Sequence, residues 1–192
     1  IIPTSTTKEF IDQSYVIESD IIRLIMQFGN SKVNLKDEEG ETYETTVNEE
    51  IINQFLENDL QLSNPLYQSI IDDVKKGLEL HELRTGDYYS KSRDNSIAQL
   101  AISLMIDKHS ISENWKLTQN IHVKTIEESI AKDIFDVMLR YKTLFVENQI
   151  KLNMDQLKNP ELTTESRQEV YKTIMELTKI KIYFNSFLDR II

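Results

Sequence analysis

The stretch from Ile126 to Leu152 reads IEESIAKDIFDVMLRYKTLFVENQIKL, and its apolar residues recur at spacings of three and four. The stretch from Val170 to Ile192 reads VYKTIMELTKIKIYFNSFLDRII and shows the same spacing. This period predicts two amphipathic helices, each with one apolar face. Asn159-Pro160 lies between them, and proline ends a helix. Two apolar stripes joined by a short break therefore predict an antiparallel helical hairpin.

The second helix of this hairpin carries more apolar side chains than one stripe needs. A helix that packs on one neighbour turns only about three of every seven positions toward it. The stripe predicted to face the first helix is Val170, Ile174, Leu177, Lys181, Phe184, Leu188 and Ile191. The surplus needs a second surface, on the bundle or on another protein, and it consists of Ile180, Ile182, Tyr183 and Phe187.

The first part of the chain predicts a bundle of shorter helices. Apolar spacing and a proline at a first helical position predict these helices over residues 8–28, 47–60, from Pro65 onward, and 94–105. Asn48 is predicted to cap the second of them. Residues 31–46 leave two structures open, a short β-hairpin around Gly40 or an acidic loop. The predicted class is all-α, a helical bundle followed by the hairpin, and the few glycines (4) and prolines (3) agree with it.

The charge is unevenly distributed along the chain. Residues 1–122 carry 21 acidic and 11 basic side chains, whereas residues 123–192 carry 11 of each. The net charge of -10 therefore lies in the first part, where it repels phosphate and argues against direct binding of nucleic acid. The step in charge near Val123 predicts a boundary between two structural units. The predicted division is a linker and first helix at 1–17, a helical bundle at 18–122 and the C-terminal hairpin at 123–192.

No motif predicts catalysis or metal binding. The absence of cysteine excludes disulfides and thiolate zinc sites and favours a cytoplasmic location. His81, His109 and His122 do not have the spacing of a metal motif, and neither a glycine-rich phosphate loop nor a Gly-x-Ser-x-Gly turn is present. No apolar stretch approaches the ~20 residues that span a bilayer. We therefore expect an interaction module without catalytic residues, metal, cofactor or membrane contact.

Several segments together resemble a known family. Glu18–Gly29 reads ESDIIRLIMQFG, and the opening helix of the C-terminal region of bacterial DNA primases likewise has an acidic residue before a Leu/Ile-Ile-Arg-Leu-Leu run that ends in glycine. The run Asn64-Pro-Leu-Tyr67, residues 95–105, Asn114-Trp115 and the terminal hairpin are similar to the versions in Bacteroidetes-type bacteria. In order and spacing, the resemblance spans residues 18–192.

The resemblance implies a function for the hairpin. In primases this region docks on the N-terminal domains of the replicative hexameric helicase and brings primer (RNA) synthesis to the replication fork. The hairpin supplies most of that contact, so the expected helicase-binding residues are Ile180, Ile182, Tyr183, Phe187, Arg190, Ile191 and Ile192. In some relatives the bundle also binds the acidic tail of single-stranded-DNA-binding protein through basic residues, and the acidic bundle here argues against that second partner.

The resemblance also implies that the chain is a fragment of a larger protein. The polymerising and zinc-binding domains of the parent primase, a nucleotidyltransferase that uses zinc and magnesium, would lie upstream. The fragment itself is then expected not to be an enzyme.

Three other interpretations stay open. The N-terminal domain of the helicase is itself a helical bundle with a terminal hairpin. An unrelated helical adaptor would pair its hairpin with that of a second copy. An enzyme fragment whose site is completed by another chain is the third, although nothing in the sequence predicts it.

Overall fold

The structure is a computed structural model, and it describes residues 13–36, 40–106 and 126–188. In these ranges the chain forms seven helices and one two-stranded antiparallel sheet. In chain order the elements are α1 Gln13–Phe28, β1 Lys32–Lys36, β2 Thr42–Thr46, α2 Val47–Glu57, α3 Pro65–Glu79, α4 Gly86–Tyr89, α5 Asn95–Met105, α6 Ile126–Gln156 and α7 Thr164–Leu188. The predicted helical class is confirmed, and of the two structures left open for residues 31–46, the β-hairpin is correct.

The central helix of the bundle is α1, which contacts each of α2, α3, α4, α5 and α6. Its buried side chains are not confined to one stripe, because neighbours surround the helix. They are Ile17, Glu18, Ile21, Ile22, Leu24, Ile25 and Met26. The helix ends where the sequence predicts, at Gly29, whose N–H donates to the carbonyl of Ile25 at 3.1 Å.

The β-hairpin leads directly into α2. Gly40 has a φ of 85°, in the left-handed region that glycine adopts without strain, and it lies between the paired strands. Val33 of β1 is fully buried, and β1 packs against α6. Thr46 ends β2 and caps α2 in a capping box with Glu49, whose carboxylate accepts the backbone N–H of Thr46 at 2.9 Å.

The prediction that Asn48 caps α2 was wrong. Asn48 is buried one residue inside the helix, and its side-chain amide donates to the carbonyl of Arg84 at 3.1 Å. Thr46 and Asn48 are both common capping residues, and the Thr-x-x-Glu spacing of Thr46 and Glu49 is the signal that distinguishes them.

The longest helix, α6, belongs to both parts of the fold. At ~1.5 Å per residue it is about 46 Å long, and its first half crosses the core formed with α1, α2 and β1. Ile130, Ile134, Met138 and Tyr141 are buried there. After Val146 no residue of the described chain is buried. The predicted boundary between residues 122 and 123 falls outside the described residues and stays a prediction.

The last helix, α7, packs along α6 as the other half of the hairpin. None of its residues is fully buried. As predicted, the half-buried positions of the stripe toward α6 are Val170, Ile174, Leu177, Lys181, Phe184 and Leu188, and Ile191 lies outside the described residues. A salt bridge of 2.8 Å between Lys181 and Glu147 also joins the two helices. Among the described helices, none has the length and apolar character to cross a membrane.

Candidate protein interface on the hairpin

The C-terminal half of α7 carries several apolar side chains that are exposed to solvent. Ile182 and Tyr183 are 64% and 61% exposed, and Ile180 is also exposed. Phe187 is half-buried. These are four of the seven residues that the primase resemblance marks as contacts, and the other three, Arg190, Ile191 and Ile192, lie outside the described residues.

Two of these four residues, Tyr183 and Phe187, belong to a cluster of aromatic rings that also includes Phe184 and Phe135. The rings of Tyr183 and Phe187 meet edge to face with centroids 4.9 Å apart, and Phe184 lies 6.2 Å from Tyr183. Phe135 of α6 joins the cluster from across the hairpin, with its centroid 6.5 Å from that of Phe187. We did not predict a role for Phe135, because it lies one position after Ile134 and so falls off the apolar stripe of α6.

A cleft of about 240 Å³ opens beside this cluster. It lies at the meeting point of α2, α6 and α7, and its walls are mostly apolar. The residues that line it are Gln54, Phe135, Met138, Leu139, Lys142, Tyr183, Phe184 and Phe187. The rings of the aromatic cluster therefore form part of the wall of this cleft.

The comparisons with known proteins identify one family. Its model, described as "Domain of unknown function (DUF8430)", matches residues 4–191. The chain belongs to this family. The comparisons with curated proteins and with solved structures gave no match. The DUF8430 match runs through the bundle and the hairpin alike, so the aromatic cluster is part of the family domain and not an appendage to it.

The exposed apolar residues of the DUF8430 hairpin lie on two different faces of α7. Ile180, Tyr183 and Phe187 are three and four positions apart, so they share one face with the cleft. Ile182 does not belong to this row. It continues a second row with Tyr171 and Met175, which are 53% and 63% exposed. The predicted contact residues thus fall into a cleft-side row of Ile180, Tyr183 and Phe187, and an outer row in which Ile182 follows Tyr171 and Met175.

One charged side chain lines the cleft of the DUF8430 domain. Lys142 is half-buried, and burial lowers its pKa, although the carboxylates of Glu57 and Glu50 act in the opposite sense. Neither carboxylate forms a salt bridge with it, and in the described part of the chain Lys142 has no ion pair within 4.0 Å. The carboxylate of Glu50 instead accepts hydrogen bonds from the side-chain amide of Gln54, at 2.6 Å, and from the hydroxyl of Tyr43, at 3.1 Å.

The described ranges assemble no metal-binding group. Those residues contain no cluster of three or more His, Asp or Glu side chains that could hold a metal ion. His81, at the end of α3, adopts a φ of 56°, and His109 and His122 lie outside the described residues. The geometry of the hairpin, with aromatic rings around a small cleft, is suited to binding another protein.

Proposed function

We propose that this chain is a protein-interaction module of a DNA primase, and that its hairpin docks on the N-terminal domains of the replicative hexameric helicase to recruit primer synthesis to the fork. The observation that supports docking is the exposed aromatic cluster of α7, a helix with no fully buried residue. The identity of the partner and of the parent enzyme rests on the resemblance of residues 18–192 to the primase region.

Side-chain type and charge both support a contact at this surface. Tyrosine and other aromatic residues dominate the binding energy of many interfaces, because they bury a large area at a low cost in conformational entropy. Residues 123–192 carry no net charge, whereas residues 1–122 carry the whole excess of -10. The hairpin is therefore the part of the chain that an acidic partner approaches with the least repulsion.

The test is calorimetric binding of the full chain to the helicase N-terminal domains from the same organism. Tyr183→Ala and Phe187→Ala are expected to weaken binding by at least about tenfold, the usual effect of truncating a central anchor. Tyr171→Ala is the matched control, because it removes the same side chain from the same helix at similar exposure. Its dissociation constant should stay within about twofold of the wild type.

Circular dichroism separates a lost contact from a lost fold. Tyr183 and Tyr171 are both exposed, so neither substitution should change the helix content. If the wild-type chain does not bind the helicase domains, the proposed partner is wrong. If Tyr171→Ala weakens binding as much as Tyr183→Ala, the contact does not lie on the cleft-side row.

The outer row of α7 supports a second candidate, self-association through the hairpin. Tyr171, Met175 and Ile182 form an exposed apolar face on a neutral hairpin, which is a surface that could pair with a second copy in a four-helix arrangement. Sedimentation equilibrium over a wide concentration range tests this function. A mass that doubles with concentration, and returns to that of one chain in Met175→Glu, would favour it over a helicase-binding role for that row.

A further inference from the structure

The cleft between α2, α6 and α7 combines an apolar lining with a half-buried charged group, and the two are seldom found together in an isolated protein. Its walls are largely aromatic and aliphatic, and they include the half-buried ammonium group of Lys142. A charge that is partly removed from water is usually paired, because desolvation is costly. In the described chain no carboxylate lies within ion-pair distance of Lys142.

We infer that this cleft receives one large apolar side chain of a helix on the partner protein, and that an acidic side chain about one turn away on that helix pairs with Lys142. The inference rests on the proposed function, in which the partner is the N-terminal region of the helicase. On a helix, side chains three or four positions apart lie ~5–6 Å from each other. Such a pair places an apolar group in the cleft, against Phe135 and Phe187, and a carboxylate at Lys142.

The size of the cleft favours a side chain over a free ligand. Pockets for small molecules and cofactors usually enclose about 300–1,000 Å³. The cleft here encloses about 240 Å³, less than that range, and it opens directly beside the exposed Tyr183. A single anchoring side chain of an interface matches this volume, and the neighbouring rings of α7 would continue the contact on either side.

The surrounding charges decide which anion the cleft accepts. Glu50 and Glu57 both act electrostatically on Lys142, so the positive potential at the ammonium group is confined to a small region. A nucleic-acid backbone brings a row of phosphates and would meet these carboxylates and the acidic bundle behind them. A single carboxylate beside an apolar anchor requires only the small positive region at Lys142.

The test measures how the full chain and two lysine variants bind the helicase N-terminal domains, both at equilibrium and in kinetics. Lys142→Met keeps the aliphatic stem and removes the charge. Lys151→Met is the matched control, because Lys151 is exposed on the same helix and does not line the cleft. Loss of a desolvated pair mainly raises the dissociation rate, whereas loss of a rim charge mainly lowers the association rate.

We expect Lys142→Met to raise the dissociation constant at least about tenfold, through a faster dissociation rate, and Lys151→Met to leave the dissociation rate within about twofold. Lys142→Glu should weaken binding further, because it places like charges together. If the wild type binds and the two methionine variants behave alike, the pairing at Lys142 is wrong while the helicase contact stands. If the wild type does not bind, the proposed function fails and the inference fails with it.

Discussion

The carboxylate of Glu18, in the middle of α1, accepts the backbone N–H groups of Ser63 at 2.6 Å and Asn64 at 3.0 Å, directly before α3. Asn64 then caps the first turn of α3 with its own side chain, and Pro65 has no N–H to satisfy. Glu18 is only 1% exposed, so these bonds are shielded from water. One acidic side chain thereby joins the central helix to the start of another and satisfies backbone donors that would otherwise be unpaired.

Replacing Glu18 by alanine is expected to lower the free energy of unfolding by about 2–4 kcal/mol, because two shielded backbone donors lose a charged acceptor. Glu18→Gln should cost less, since its amide oxygen still accepts one of the two bonds. Urea unfolding measures both changes. Glu57→Ala, at an exposed position near the end of α2, is the control and should change stability by less than about 0.5 kcal/mol. Equal effects at positions 18 and 57 would contradict the role assigned to Glu18.

Those parts of the fold that depend on local signals could be predicted from the sequence. Asn64-Pro65 begins α3, and Asp94 caps α5 by accepting the N–H of Ser96 at 2.8 Å. The hydrogen bonds of Glu18 could not be predicted, because their donors lie 45 and 46 residues away in the sequence. In the sequence, a helical glutamate that becomes buried cannot be distinguished from an exposed one, because its hydrogen-bond donors come from a distant part of the chain.

The same distinction applies to the candidate site. The period of α7 identified the half-buried stripe toward α6 and the surplus of apolar residues beside it. Adjacent positions of a helix point in different directions, so Ile182 and Tyr183 had to lie on different faces. Which of the two faces borders the cleft could not be predicted, because that depends on where α2 and α6 meet α7. Phe135 and Lys142 had no signal of their own, because their roles come from a cleft that three separate elements form.

Arg84 forms two salt bridges, more than any other residue of the described chain. We expect this residue to stabilise the bundle. One terminal nitrogen of its guanidinium lies 3.0 Å from both carboxylate oxygens of Asp73, and the other donates to Glu82. The guanidinium carbon lies over the ring of Tyr88, 4.4 Å from the ring centroid. The side chain is mostly buried, whereas Asp73 is one-third exposed. Arg84→Ala should therefore cost about 2–3 kcal/mol, at or below the range for a fully buried pair.

A lysine at this position should recover little of that loss, because a compact ammonium group cannot reproduce a planar guanidinium that bonds Asp73 and Glu82 through two different nitrogens. Thermal unfolding of Arg84→Ala, Arg84→Lys and wild type compares the three. Arg93→Ala, at an exposed position nearby, serves as the control. A lysine variant as stable as the wild type would show that only the charge at position 84 matters.

Stability at alkaline pH should depend on Tyr67. Burial raises the pKa of the Tyr67 hydroxyl to about 12, and a hydrogen bond with Tyr15 adds to the shift. An unfolded tyrosine ionises near pH 10. The stabilising contribution is thus fully present below about pH 10 and is lost as the pH rises toward about 12, because the unfolded chain ionises first.

The matched substitution is Tyr67→Phe, which keeps the ring in the core and removes the ionisable group. Between about pH 9 and 11 the wild type should lose more unfolding free energy than the variant, with a difference on the order of 1 kcal/mol. Urea unfolding at a series of pH values measures this difference. Parallel curves for the two proteins would show that Tyr67 ionises in the folded chain as it does in the unfolded one.

Lys142 offers a prediction that does not require any partner. Burial lowers the pKa of its ammonium group, so at neutral pH the folded chain holds a charge that the unfolded chain solvates better. The unfolding free energy associated with this group is therefore greatest above the unfolded pKa of about 10.4 and decreases as the pH falls. Lys142→Met removes this effect and should raise the unfolding free energy at pH 7 by up to about 1 kcal/mol.

Lys151→Met is again the control, and it should leave stability unchanged because Lys151 is exposed. Urea unfolding of the three proteins at neutral and alkaline pH measures the effect, and the difference between wild type and Lys142→Met should shrink as the pH rises. A destabilised Lys142→Met would mean that the ammonium group already has a favourable place in the isolated chain. A stabilised variant that binds its partner less well would instead show that Lys142 lowers the stability of the free protein and favours the complex, as expected of a residue that contributes to binding.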